Sequence, residues 1–426
     1  MENLKDNIII DRTRTYFDFT SSGLAYKSVE EKIDKVLLTY TNTHSDSNKN
    51  SLLTAEYYEN ARMELKNSLE LDDSFCILPC GTGATGAIKK FQELLGIYIP
   101  PKTKQRYKIE VTNKPLVIVG PFEHHSNEVS FREALCDLIR IPLSKSGYTD
   151  LDVLKSVLEQ NKNREIIGSF SVASNVTGIF NPIKEISQLI RAYGGILALD
   201  SATTSAYMNV DKNLFDVMFF SPHKLLGGVG SCGLLAIKKS LIDTSLAPTF
   251  AGGGTVSYVS ANQHIFLDNV ELREDGGTPA ILQFIRASLA YQLRNSIGLD
   301  WIHKREQELR DYFISKANDI DGIVRYCQNI ENKLPIFSFN LEGQDPYSVA
   351  SILSNRYNID VRAGCSCAGP YGHDLLNLEE GEEVLKERPG WVRVSLHYTH
   401  TEKEVDYLIE SIKDIAMSSI EVSCLE

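Results

Sequence analysis

The chain has 426 residues, 42% hydrophobic and 23% charged, ordinary proportions for a globular protein with room for two domains. Its 56 acidic side chains outweigh 44 basic ones, for a formal net charge of −12, so it carries no electrostatic footprint for nucleic acid. No apolar window is long enough to cross a bilayer, and the polar start Met1-Glu2-Asn3-Leu4-Lys5-Asp6 is unlike a signal peptide. Eight scattered cysteines, several inside apolar runs, lead us to expect a reduced, cytoplasmic protein without membrane attachment.

From about residue 75 to 240, short β-rich runs alternate with helical patterns. Strands are predicted at 75–78, 116–119, 166–170, 196–199, 217–220 and 234–237, with helices at 84–95, 152–160 and 183–193. The alternation implies an α/β fold whose mostly parallel sheet is covered on both faces. Ligands of such sheets bind beyond the carboxyl ends of the strands. After Gly277-Thr278-Pro279 the pattern changes. Two long helical stretches, 280–296 and 300–319, precede strands near 323–327, 336–340 and 391–396 and helices near 347–357 and 401–418, which reads as a smaller α+β domain. The expected division is an N-terminal segment, 1–25, on the small domain or across the cleft; a large domain, 26–284; and a small C-terminal domain, 285–426.

The polar residues that end these strands carry the chemistry. Ser221-Pro222-His223-Lys224 follows the buried run Val217-Met218-Phe219-Phe220 and precedes a glycine cluster. A desolvated ammonium is costly, so a lysine there suits an amine wanted neutral, as a nucleophile toward the aldehyde of pyridoxal 5'-phosphate. Asp200 ends the preceding strand and is the anion that would keep a pyridine nitrogen protonated; alone, it reads as a helix N-cap. Asn175, after the strand at 166–170, reads either as a turn residue or as a partner for the cofactor's phenolic oxygen. In Glu123-His124-His125-Ser126-Asn127 an imidazole can stack on a planar ring; metal is disfavoured, because adjacent histidines rarely share an ion. Gly81-Thr82-Gly83-Ala84-Thr85-Gly86 matches G-x-G-x-x-G, yet lacks a good acidic partner for a nucleotide and the lysine of a P-loop. We read it as a phosphate cup at a helix start, completed by Ser221 and His223.

Together these motifs, with Ser-Asn-Val-Thr-Gly, Asp-Ser-Ala-Thr and Gly-Gly-Thr-Pro, make a chain that resembles the class V aminotransferase-fold enzymes, and among them the cysteine desulfurases and selenocysteine lyases, over residues 16–418. The resemblance implies the pyridoxal-phosphate fold type I with a seven-stranded sheet. It implies Lys224 as Schiff-base lysine, Asp200 as pyridinium partner and His124 stacked on the ring. Ala84, Thr85, Ser221 and His223 would hold the phosphate, Asn175 and Thr203 the ring oxygen, and Thr278 the phosphate of a second subunit in a homodimer. Arg393 would grip the substrate carboxylate beside Asn175, with a surface strand-edge arginine as the alternative. Cys367, in Arg362-Ala363-Gly364-Cys365-Ser366-Cys367, would accept the sulfur and pass it to a protein acceptor.

Three features depart from the family pattern. Thr203 stands where glutamine or histidine is usual. Cys365 stands where histidine is frequent. The stretch between Cys367 and Arg393 is long and contains the acidic run Glu379-Glu380-Gly381-Glu382-Glu383. The leading expectation is removal of sulfur or selenium from cysteine or selenocysteine to give alanine. A β-lyase or epimerase using the same lysine and aspartate is the alternative, and a nucleotide-binding oxidoreductase using Gly81 to Gly86 the remote one.

Overall fold

A computed structural model describes residues 2–423 apart from 46, 108, 110 and 380–388. Most of the acidic run, from Glu380 to Glu383, therefore lies outside the described residues. The central sheet has seven strands: β1 (Phe75–Cys80), β2 (Leu116–Val119), β3 (Asp137–Arg140), β4 (Ile166–Ser171), β5 (Ile196–Asp200), β6 (Val217–Phe220) and β7 (Gly233–Lys238). Their order is β1-β7-β6-β5-β4-β2-β3. β7 runs antiparallel to its neighbours β1 and β6, and every other pair is parallel.

β2 and β6 are continuously apolar because both their faces are buried. Leu116 and Ile118 enter one core and Val117 and Val119 the other; Met218 and Phe220 alternate with Val217 and Phe219 in the same way. Helices Lys27–Leu37, Lys49–Ser68, Leu151–Gln160, Ile183–Ala192 and Ile281–Ile297 cover the first face, Gly83–Leu94 and His125–Arg132 the second. The edge strand β3 was not predicted. Its sequence, Asp-Leu-Ile-Arg, is short, charged at both ends and only partly buried, as edge strands commonly are.

The smaller unit holds an antiparallel sheet of β8 (Ile323–Arg325), β9 (Ile336–Leu341), β10 (Arg362–Gly364) and β11 (Trp391–Ser395), ordered β8-β9-β11-β10. Helices Leu299–Ala317, Pro346–Tyr357 and Glu402–Ser423 share its core. Helix Ile281–Ile297 runs unbroken through position 284, with Phe284, Ala287, Ala290 and Tyr291 in the core of the large unit. Gly298, at φ 97, separates it from the next helix.

The N-terminal segment ties the two units together. Thr15–Tyr16 pairs in parallel with Ile359–Asp360, and Phe17 sits in the core of the small unit. Further on, the Gly23 N–H donates to His223 O (2.8 Å) and the Gly227 N–H to Leu24 O (2.7 Å). A side chain at Gly23 would put Cβ 2.1 Å from Leu225 O, so the segment passes closely over the turn that carries Lys224.

Candidate active site

The parallel strands β4, β5 and β6 end at one cavity of about 790 Å³, solvent at its mouth included. Lys224 lies on the 3-10 turn Pro222–Lys224 that follows β6, and Asp200 is the last residue of the adjacent parallel strand β5. Adjacent parallel strands end side by side, which brings both side chains to the same cavity wall. Loss of hydration pushes the Lys224 amine down to about 8; Asp200 opposes the shift, and Arg393 and Arg362 add to it. Burial raises the Asp200 carboxyl above its usual range, against the Ala202 N–H that donates to Oδ1 at 2.9 Å and against Lys224.

One end of the cavity is shaped for an oxyanion. Helix Gly83–Leu94 starts there, and Gly83 has φ +54. A Cβ at that position would come within 2.8 Å of His223 Cε1 and 2.9 Å of Ser221 Oγ, so only glycine leaves the cradle open. The Ala84 N–H donates to Ser221 Oγ (2.9 Å), and Thr85 Oγ1 lies 2.7 Å from Ser126 Oγ. Burial, with Lys224 nearby, lowers His223 to about 4, which keeps it neutral. Hydroxyls around a helix N-terminus are a standard anion site.

His124 forms the N-cap of helix His125–Arg132. Its Nδ1 accepts the Ser126 N–H (3.1 Å), so a neutral ring carries its proton on Nε2. Burial and Lys224 hold its pKa near 4. Asn175 and Thr203 are both buried on the cavity wall. Asn175 Nδ2 donates to Ser366 O (2.7 Å), its backbone O accepts from Arg393 Nη1 (2.9 Å), and its Oδ1 is buried without a partner. One amide donor is thus engaged by the cysteine loop. Thr278 is exposed and outside the cavity, where Asn42 Nδ2 donates to its Oγ1 (3.1 Å).

Cys367 lines the same cavity as Lys224, and Arg362 Nη2 is 3.7 Å from its Sγ. Cys365 packs instead against the cluster that includes Phe122, Tyr371 and Trp391. Arg362 faces Arg393 directly across the β10–β11 pair. Arg393 is 2% exposed, which removes the surface-edge alternative. Its Nη2 donates to Asp18 Oδ1 (2.8 Å) and Ser21 Oγ (2.7 Å), and its Nε is left without a partner. Sequence reasoning did not assign roles to Arg362, Asp18 or Ser126. Arg362 had a signal, as the arginine opening the cysteine loop; Asp18 had none, because its contact with Arg393 exists only once the N-terminal segment has folded back. Among the described residues, no group of three or more His, Cys, Asp or Glu side chains is placed to hold a metal ion, and no helix is long and apolar enough to cross a membrane.

The family model for class V aminotransferases matches residues 15–408, and the chain belongs to that family. It is 26% identical over 406 residues to a probable cysteine desulfurase of Halalkalibacterium halodurans, covering 93% of this chain and 92% of that one. It is 30% identical over 306 residues to a probable cysteine desulfurase of Methanothermobacter thermautotrophicus, covering 70% and 73% respectively. Its fold is similar to those of cysteine desulfurases from Thermococcus onnurineus NA1 (TM-score 0.82, 23% identity) and Escherichia coli (TM-score 0.79, 21% identity), each covered over 98% of both chains.

Enzymes of this family use pyridoxal phosphate, and the residues present fit it. The cradle that a Cβ at Gly83 would fill matches a phosphate. A buried carboxylate and a lysine of lowered pKa share the cavity, and a flat neutral imidazole stands beside them.

Proposed function

We propose that the protein removes sulfur from L-cysteine, or selenium from selenocysteine, leaving L-alanine and a persulfide on Cys367. The observation that carries this reading is a cysteine thiol in the same cavity as Lys224, with the Arg362 guanidinium 3.7 Å from its Sγ. Bound pyridoxal phosphate supplies an aldehyde that captures amines and a protonated ring that accepts an electron pair. Lys224 would anchor that group, and its amine would take the substrate's α-proton. Asp200 would pair with the ring nitrogen, His124 would cover the ring, and Ala84, Thr85, Ser221 and His223 would hold the phosphate. Asn175 and Thr203 would hold the ring oxygen.

Arg393 holds the substrate carboxylate. Its guanidinium is oriented beforehand by Asp18, Ser21 and the Asn175 carbonyl, so little freedom remains to be lost on binding. Cys367 attacks as a thiolate, with Arg362 as its counter-ion. Its Sγ bonds to the substrate sulfur while the substrate's carbon–sulfur bond breaks, the electron pair staying with the carbon that becomes the methyl of alanine.

Substitution of Cys367 by alanine tests this. The variant is expected to keep the visible absorbance of the bound cofactor and to lose alanine formation from cysteine by at least about 100-fold, as removal of a covalent nucleophile should. Undiminished alanine formation contradicts the persulfide role; pyruvate with sulfide, or D-cysteine, formed in place of alanine and unchanged in the variant would favour β-elimination or epimerisation, which need Lys224 and Asp200 but not Cys367.

The protein is further proposed to act as a cytoplasmic homodimer in which Thr278 reaches the partner's phosphate site, and to hand its sulfur to an acceptor protein. Exposure of Thr278 away from its own cavity and the unpaired state of the described cysteines support this. The two units are best divided near Gly298, since the helix before it belongs to the large core.

A further inference from the structure

The cysteine loop follows a backbone path that L-residues rarely take, with Ser366 at φ 53 and Cys367 at φ 58. Such a path persists only where the surroundings over-determine it. On the Ser366 side, Asn175 Nδ2 donates to the Ser366 carbonyl (2.7 Å) and Trp391 Nε1 to Ser366 Oγ (3.3 Å). On the cysteine side, two further bonds come from one residue. The His125 N–H donates to Cys367 O (2.8 Å), and the Gly369 N–H donates to His125 Nε2 (2.8 Å). Gly369 opens the helix Gly369–Leu376, so its N–H is one of the donors that a helix start leaves without a backbone acceptor. The approach is close: a Cβ at Gly369 would lie 3.0 Å from His125 Nε2.

The two adjacent histidines therefore do different work in opposite tautomers. His124 accepts on Nδ1 and faces the cavity; His125 accepts on Nε2 and grips the loop. Burial lowers the His125 pKa, with Glu128 opposing and Arg132 adding to the shift, which favours the neutral ring that an acceptor needs.

We propose that His125 is a positioning residue for sulfur transfer, a clamp that holds the Cys367 loop against the cavity by bonding to the Cys367 carbonyl and to the Gly369 N–H two residues further on. The proposal rests on the reading of Cys367 as sulfur acceptor. It also gives the second histidine of the pair a task independent of the cofactor.

The test compares wild type with His125→Ala and His125→Gln, all loaded with cofactor, by hydrogen–deuterium exchange of the peptide spanning 367–376 and by steady-state kinetics. The alanine variant keeps the backbone bond to Cys367 but loses the acceptor for Gly369. Its loop amides are expected to exchange about tenfold faster, and kcat for alanine formation to fall about tenfold, the scale of one lost part-buried hydrogen bond. KM for cysteine and the cofactor absorbance should hold. Glutamine, whose side-chain oxygen accepts at a comparable reach, should restore both exchange protection and kcat. Wild-type exchange and kcat in the alanine variant overturn the proposal, as does a glutamine variant as loose and slow as alanine, or a loss confined to KM or to cofactor colour. The exchange measurement stands apart from the reading beneath it: if Cys367→Ala still makes alanine, Cys367 is not the acceptor, whatever His125 does to the loop.

Discussion

Lys224 behaves unlike a surface lysine before any ligand arrives. Its amine is pushed down to about 8 from an ordinary 10.5, so at pH 7 roughly one amine in ten is neutral, against about one in three thousand for an ordinary lysine. The neutral amine is the form that attacks an aldehyde. Capture of pyridoxal phosphate by the cofactor-free protein should therefore accelerate as pH rises and level off near 8, as followed by stopped-flow absorbance. A rate still climbing toward 10.5 contradicts the desolvated lysine. The same shift has a stability sign. Between 10.5 and about 8 the unfolded chain binds more protons than the folded one, so the cofactor-free protein loses stability as pH falls through that window. The lysine stood out in the sequence because a charged residue in the short turn where a buried apolar strand runs out is anomalous, and Asp200 because it ends the strand before. Asp18 was not assigned, because its contact with Arg393 arises from chain return, which no local pattern encodes; Arg362 stands in the cysteine-loop motif, and only its place opposite Arg393 comes from cross-strand register.

At the scale of elements, the buried strands were readable because β2 and β6 have no polar interruption, and their predicted ends coincide with those observed. The elements missed are those stabilised by partners rather than by composition. β3 and β10 are short sheet edges, and the hairpin of Val256–Val259 with His264–Phe266 lies outside the core. That hairpin leaves Tyr258 52%, Val259 63% and Ile265 59% exposed. Apolar strand residues without a core beneath them are what a subunit interface leaves on an isolated chain. Sedimentation should give wild type at twice the chain mass, while Ile265→Asp, which buries a charge in the contact, should shift the protein toward monomers and weaken cofactor retention. A wild-type protein that sediments as a monomer at micromolar concentration contradicts the shared site.

At the scale of the whole molecule, an α/β pattern runs up to residue 240 and a mixed pattern follows after 280. The apolar face of helix Ile281–Ile297 gives no sign of which core it joins, and it joins that of the large unit. The cavity lies where the two units and the returning N-terminal segment meet: the large unit supplies Lys224 and Asp200, the small one Cys367, Arg362 and Arg393, and the segment Thr20 and Ser21. This arrangement brings Lys224 and Asp200 into one cavity with the Cys367 thiol, and the pairing is the core of the proposed activity. The direct measurement is mass spectrometry of the cofactor-loaded protein after brief exposure to cysteine without an acceptor. One added sulfur on the peptide that holds Cys367, removable by a reducing thiol and missing in Cys367→Ala, is the predicted result. Alanine released with no sulfur retained on Cys367, or with the added sulfur on Cys365 instead, would contradict it.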